Sequence, residues 1–233
     1  MQRFKIAALM STALAMLAVA AVAVASSQFS QTSNVTLTAT KAGKTTGFKA
    51  AIKSSDPGEP GGKPQALKTL TLTLPSATKF NFKTKAITPC TASDTEIKGT
   101  GGAVCPAKSK IGSGSAEANG APALPLIPEN ATAYAGKSDL IFLLAPKGPA
   151  GSVLVLHGAV SKNKVTVAVP QISAGGLTIV ITGLNLTVNK IGGGKTAFIT
   201  AGKCSGGKFT VKSGFVYYSG APVNLTSSSK CSK

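Results

Sequence analysis

The chain has 233 residues, with 25 lysine and arginine side chains against 7 acids and a formal charge of +18. Arg3 is its one arginine, so the planar, bidentate recognition of phosphates and bases that guanidinium groups provide is missing from the rest. One histidine and seven carboxylates leave few groups to move protons, attack or hold a metal, which argues against enzyme classes built on clusters of them.

Arg3 and Lys5 precede an apolar or weakly polar run from Ile6 to Ala25, followed by Ser26 and Ser27. That order predicts a secretory signal over residues 1–25, cut after Ala23-Val24-Ala25 between Ala25 and Ser26. The run is also as long as a membrane-spanning helix, so an uncleaved anchor is the competing reading; the polar residues directly after Ala-x-Ala favour cleavage. After the signal no transmembrane segment is expected. Residues 26–233 then make one β domain.

Val35, Leu37 and Ala39 alternate with threonines. After the turn at residues 41–44, Phe48, Ala50 and Ile52 alternate in the same way, which predicts a hairpin over residues 26–55. Pro57, Pro60 and Pro64 among glycines make residues 56–64 a loop. From residue 65 the main domain begins with Leu70, Leu72 and Leu74 alternating with threonines up to Pro75, and Phe80 and Phe82 suggest a short continuation. Between Cys90 and Pro128 the pattern dissolves into Gly, Ala, Ser and Pro, and the expectation is a disulfide-tied excursion with one helical turn within Thr91–Lys98. Strand patterns then follow densely, from Leu140 to Leu225. The apolar positions are odd at Leu177, Ile179 and Ile181 but even at Leu184, Leu186 and Val188, so the buried face changes at Gly183, as a bulge or corner requires. With no amphipathic helix for crossovers, the expected fold is all-β: an antiparallel sandwich, Ig-like or jelly-roll-like, with Gly/Pro-rich loops and two disulfides.

Cys90, Cys105, Cys204 and Cys231 form an even set in an exported chain. Of three connectivities, the sequence-local one, Cys90 with Cys105 and Cys204 with Cys231, is favoured; each closes a modest loop, and on the chain-entropy model contributes about 3 kcal/mol. Their spacing is not that of zinc ligands. The lysines are scattered along the chain, which suits a solubilised sheet with guarded edges or loose contact with anionic polymers.

No site residue, cofactor or metal is assigned for catalysis. His157 shares strand parity with Val153 and Val155 and reads as a structural histidine; the competing reading is a secreted hydrolase using His157, Asp139 and a serine. Asp94 and Glu96 would offer oxygens to calcium, and Asp56 and Glu59 read as turn residues. Gly192-Gly193-Gly194-Lys195-Thr196 lacks the first glycine of a phosphate loop, Asn189 standing there, and a strand follows where a helix is needed. Tyr218 faces away from the core positions Phe209, Val211, Phe215 and Tyr217, which raises a third reading as a carbohydrate-binding or adhesion module. Asn34, Asn130, Asn185 and Asn224 fit the glycosylation pattern.

The segment Cys105-Pro106-Ala107-Lys108-Ser109-Lys110-Ile111-Gly112-Ser113-Gly114-Ser115-Ala116, with a Leu-rich strand before it and Cys204, an aromatic strand and Cys231 after it, resembles a group of uncharacterised exported β proteins of actinobacteria. Gly202-Lys203 and Ser219-Gly220 depart from that group's pattern. The resemblance implies export and paired cysteines and brings no activity with it. The sequence therefore leads to a secreted or envelope-associated bacterial protein, non-enzymatic, whose partners are anionic wall or membrane polymers and not a specific nucleic acid.

Overall fold

The computed structural model describes residues 28–148, 152–174 and 176–232; the signal and its Ala25/Ser26 junction lie outside them. In chain order the strands are β1 (Ser30–Leu37), β2 (Phe48–Ser55), β3 (Leu67–Thr73), β4 (Lys79–Phe80), β5 (Lys110–Gly120), β6 (Leu124–Ala135), β7 (Asp139–Pro146), β8 (Leu154–Ser161), β9 (Lys164–Ala168), β10 (Ile172–Ala174), β11 (Leu177–Val188), β12 (Ile199–Thr200), β13 (Lys208–Tyr217) and β14 (Val223–Lys230), with one helix, α1 (Asp94–Thr100). Among the described residues no helix is long and apolar enough to cross a membrane.

Period-two sequence becomes a curled sheet with a dry inside. Phe209, Val211, Phe215 and Tyr217 of β13 are buried while Val216 between them is 45% exposed. Leu70 and Leu72 of β3 point inward, and the threonines between them sit on the outer side. Eleven strands pair in the order β1-β2-β11-β5-β6-β7-β8-β9-β3-β13-β14, with β10 added beside β11 and β4 paired separately with β12. Every adjacent pair is antiparallel, so one continuous sheet supplies both faces of the core and curls almost closed. The predicted hairpin is β1–β2, and β2 continues directly into the main sheet through β11.

An odd row of alternating strands leaves its two outer members, β1 and β14, running the same way. They meet through hydroxyl groups. The Val35 amide donates to Ser227 Oγ at 3.0 Å, and that hydroxyl donates back to the Val35 carbonyl at 2.9 Å. Nearby, Ser33 Oγ donates to Ser213 Oγ at 2.8 Å. Beyond the strands backbone takes over: the Ala42 amide donates to Ser232 O and the Ser232 amide to Thr40 O, a short parallel bridge. The Cys204–Cys231 disulfide, Cα atoms 5.9 Å apart, anchors the chain just before that bridge.

One end of the barrel is capped. The β4–β12 ribbon lays Phe80 and Phe82 against fully buried Phe198, the latter perpendicular to both, and the Asn81 amide donates to the Phe198 carbonyl. The remaining interior is apolar, with a cavity of about 80 Å³ among side chains such as Phe48, Leu72, Leu186 and Phe215.

Two corrections to the sequence reading concern residues 91–128. First, β5 and β6 are long central strands, not part of an excursion. Their glycines and alanines hide the period, yet the packing demands them. A Cβ on Gly112 or Gly114 would run into the backbone of Thr187 or Asn185, and Ala116, Ala131 and Ala133 are the small residues of the buried wall. Second, the true excursion, residues 91–109, is packed. Ile97 of α1 is fully buried with Cys90, Cys105, Tyr134, Ile141, Leu143 and Val155 in a second apolar cluster on the outer side of β7 and β8. Both disulfides pair as the local scheme expects, Cys90 with Cys105 at a Cα separation of 4.9 Å. The parity change near Gly183 is a bulge: the β11–β5 register slips between Ile181 and Gly183, making one continuous β11 of what reads as two strands.

Glu129 breaks the apolar rule inside. It lies opposite Ala116, which faces the core, so its carboxylate points inward; it is 5% exposed, and its Oε2 has no hydrogen-bond partner. Burial pushes its pKa up to about 7. An acid whose folded pKa exceeds its unfolded value costs stability as pH rises from 4.5 through 7.

Two measurements check this account. Ser227→Ala leaves the Val35 amide and carbonyl without their partner and is expected to cost about 1–2 kcal/mol in urea unfolding, against less than about 0.5 kcal/mol for outward-facing Ser228→Ala. Glu129→Gln is expected to stabilise the protein by about 1–3 kcal/mol at pH 8 and by much less at pH 5; an equal effect at both values contradicts a buried ionising carboxylate.

Candidate functional site

Strand alternation sorts the connections between two ends. The segments 38–47, 74–90, 136–138, 162–163 and 189–207 all fall at the capped end and bond to one another there. The Thr46 amide donates to Ile199 O, Ala201 to Lys44 O, Lys203 to Ser76 O, Leu74 to Asn163 O and Cys90 to Ala135 O. They carry Lys41 and Lys44; Lys79, Lys83 and Lys85; Lys137; Lys162; and Lys190, Lys195 and Lys203, all exposed. Lysines at the strand ends that meet them, Lys49, Lys110, Lys164, Lys208 and Lys230, bring the number to fifteen, and the acid Asp139 opens β7 at the same end.

The other half of the barrel holds Lys53, Lys63, Lys68 and Lys147 with Asp56, Glu59, Glu117 and Glu129, the last buried with its carboxylate turned inward. Lysines scattered in sequence are therefore gathered in space, a clustering that strand order alone reveals. Asp139 and Asp94 are held in ion pairs by His157, and Lys208 stands directly opposite Lys230 across the β13–β14 ladder. Like charges so placed work against folding, and they remain available to external anions.

The strand period places His157 on the outer face of β8 beside Val155; the structure brings it together with Asp139, its partner in the hydrolase reading, and adds Asp94. Its Nδ1 lies 2.6 Å from Asp139 Oδ2, across the β7–β8 ladder, and its Nε2 lies 2.9 Å from Asp94 Oδ1, at the first turn of α1. Both nitrogens donate only in the imidazolium form. The Asp139 hydrogen bond is the main influence that raises the His157 pKa; partial burial opposes it, and Asp94 adds to it. The hydrolase reading needs a serine on the nitrogen that Asp94 occupies. His157 instead clamps α1 to the sheet. Glu96 is likewise committed: it accepts from the Ser93 amide and hydroxyl as the capping box of α1, so Asp94 and Glu96 do not converge as a calcium pair.

Tyr218 is 41% exposed, but its hydroxyl donates to Val169 O at 3.0 Å and Lys68 Nζ lies 5.8 Å from its ring centre. Gly194–Thr196 form a single 3-10 turn leading to β12, with no helix to receive a phosphate.

Because the folded His157 pKa is raised, the clamp contributes fully below the ordinary histidine pKa of 6.5 and is lost as pH rises through the higher folded value. Hydrogen exchange at the Ile97 amide is expected to speed up on going from pH 6 to pH 9 beyond the intrinsic base-catalysed rate, by an amount worth less than about 1 kcal/mol for such an exposed cluster. His157→Gln is expected to remove that excess.

Compared with protein-family models, curated proteins and solved structures, the chain matches none.

Proposed function

We propose that this chain is an exported, non-enzymatic binding protein of the bacterial cell envelope that holds anionic polymers against the capped end of its barrel. The observation that carries this reading is the polarity of its charge, fifteen lysines with Asp139 at one end, and four lysines with Asp56, Glu59, Glu117 and the buried Glu129 at the other. Lysines on mutually bonded loops form a stiff array of point charges. Such an array reads charge density, not base sequence or planar geometry. Binding of this kind depends steeply on salt, because each contact releases counterions and is screened over about 10 Å at 0.1 M.

Two disulfides suit an oxidising exterior. They also stiffen both margins of the array, one beside the α1 cluster and one beside the β1–β14 seam.

Retention on immobilised poly(glycerol phosphate) tests the reading. Wild-type protein is expected to bind at 50 mM salt and elute as salt rises. Changing Lys41, Lys44, Lys190 and Lys195 together to Gln is expected to lower affinity about tenfold or more, whereas the same change at Lys53, Lys63, Lys68 and Lys147 costs less than about twofold. Equal losses from the two sets, which remove equal charge, contradict it.

A further inference from the structure

We infer that a cleft at the rim of the capped end recognises a saturated sugar ring carrying a phosphate or carboxylate, the repeating unit of an anionic glycopolymer. The inference deepens the polymer-binding reading and rests on it for the source of the ligand. The cleft has a volume of about 640 Å³ and lies between the β3–β4 connection, the β6–β7 turn and the β8–β9 turn. Three observations meet there.

The first is chemical. Lys79 and Lys162 both border the cleft, both are exposed, and neither has a carboxylate partner among the described residues. Phe80 and Phe82 line it with Val160. The two phenyl rings are half-buried and nearly parallel, 14° apart with centres at 6.2 Å, and buried Phe198 holds both from the core side. A fixed apolar platform flanked by two cations fits an anion attached to a ring better than a bare anion. Ser138 on the β6–β7 turn completes the wall with a hydroxyl.

The second is conformational. Ala77 at φ 64° and Lys162 at φ 57° are the two non-glycine residues in the left-handed region among the described residues, and both border this cleft. Each is set by its turn: Ala77 is the third residue of the Pro75–Thr78 turn, closed by the Thr78 amide on the Pro75 carbonyl, and Lys162 is the first of the two residues that join β8 to β9, so both rims have a defined backbone course. At Lys162 the left-handed turn carries the ammonium group on a fixed backbone position.

The third is the fixed backbone. The Thr78 amide and hydroxyl both donate to the Pro75 carbonyl, and the Asn163 carboxamide donates to the Leu74 carbonyl, so the two lysine-bearing turns are tied to the same end of β3. Little ordering is left for binding to impose.

An NMR titration with glucose 1-phosphate, run beside glucose and inorganic phosphate, tests the proposal. Glucose 1-phosphate is expected to shift the amides of Ala77, Ser138 and Lys162 and to bind about tenfold more tightly than either fragment. Lys79→Gln with Lys162→Asn, which keeps a residue tolerant of the left-handed turn, is expected to weaken it about tenfold, and Phe82→Leu to remove the preference over phosphate. Equal affinity for inorganic phosphate, or shifts confined to other lysine loops, overturns the cleft. If Phe82→Leu does not fold, the exposed lysine pair decides alone. Wild-type retention on poly(glycerol phosphate) without glucose 1-phosphate binding overturns the cleft and leaves the polymer-binding reading intact; loss of retention overturns that reading itself.

Discussion

A row of eleven strands that alternate in direction ends with its first and last members parallel, and a parallel seam cannot be closed by the ladder that joins every other pair. The chain resolves this with serine. Ser227 presents one hydroxyl that accepts from the Val35 amide and donates to the Val35 carbonyl, standing in for a strand neighbour, and the Ser33 hydroxyl adds a bond to that of Ser213 on β13. Without that closure the apolar wall of β1 and β14 would open to water, and the loops at the capped end would lose their common support. Ser232, the Cys204–Cys231 link and the turn at residues 41–44 lie at the point where seam and cap meet.

The same alternation creates the charge polarity. Each antiparallel connection returns the chain to a fixed end, so a lysine placed in any one of five connections arrives at the same pole. Fifteen cations concentrated there oppose folding. The apolar plug of Phe80, Phe82 and Phe198 and the hydrogen bonds among the loops oppose their separation. The interior adds a second electrostatic load in Glu129, and the His157 clamp loses strength as pH rises. Both favour the folded state at mildly acidic pH, since each loses stability as protons leave.

Much of the architecture is legible in period-two sequence. The threonine-backed leucines of β3, the aromatic face of β13 and the parity change at Gly183 translate directly into strand, wall and bulge. Local cysteine spacing matches the two disulfides. The stretch from Lys110 to Pro128 is opaque because its strands are built from residues chosen for closeness: Gly112 and Gly114 admit β11 backbone, and alanines leave room in the wall, so no hydrophobic period is written. Charge was harder still. Nothing in the spacing of Lys41, Lys79, Lys162 and Lys195 signals proximity, because long-range strand order brings them together. His157 shows an intermediate case: its strand face follows from the parity of Val153 and Val155, whereas its second partner, Asp94, arrives from a helix folded over the sheet.

The central claim is that the two ends of this barrel differ as anion-binding surfaces. Lysine footprinting by amine acetylation, quantified residue by residue with and without poly(glycerol phosphate), tests it most directly. Protection concentrated at Lys41, Lys44, Lys162, Lys190 and Lys195, with Lys53, Lys63 and Lys147 modified at their free rates, is the predicted result. Protection spread equally over both ends would contradict the account.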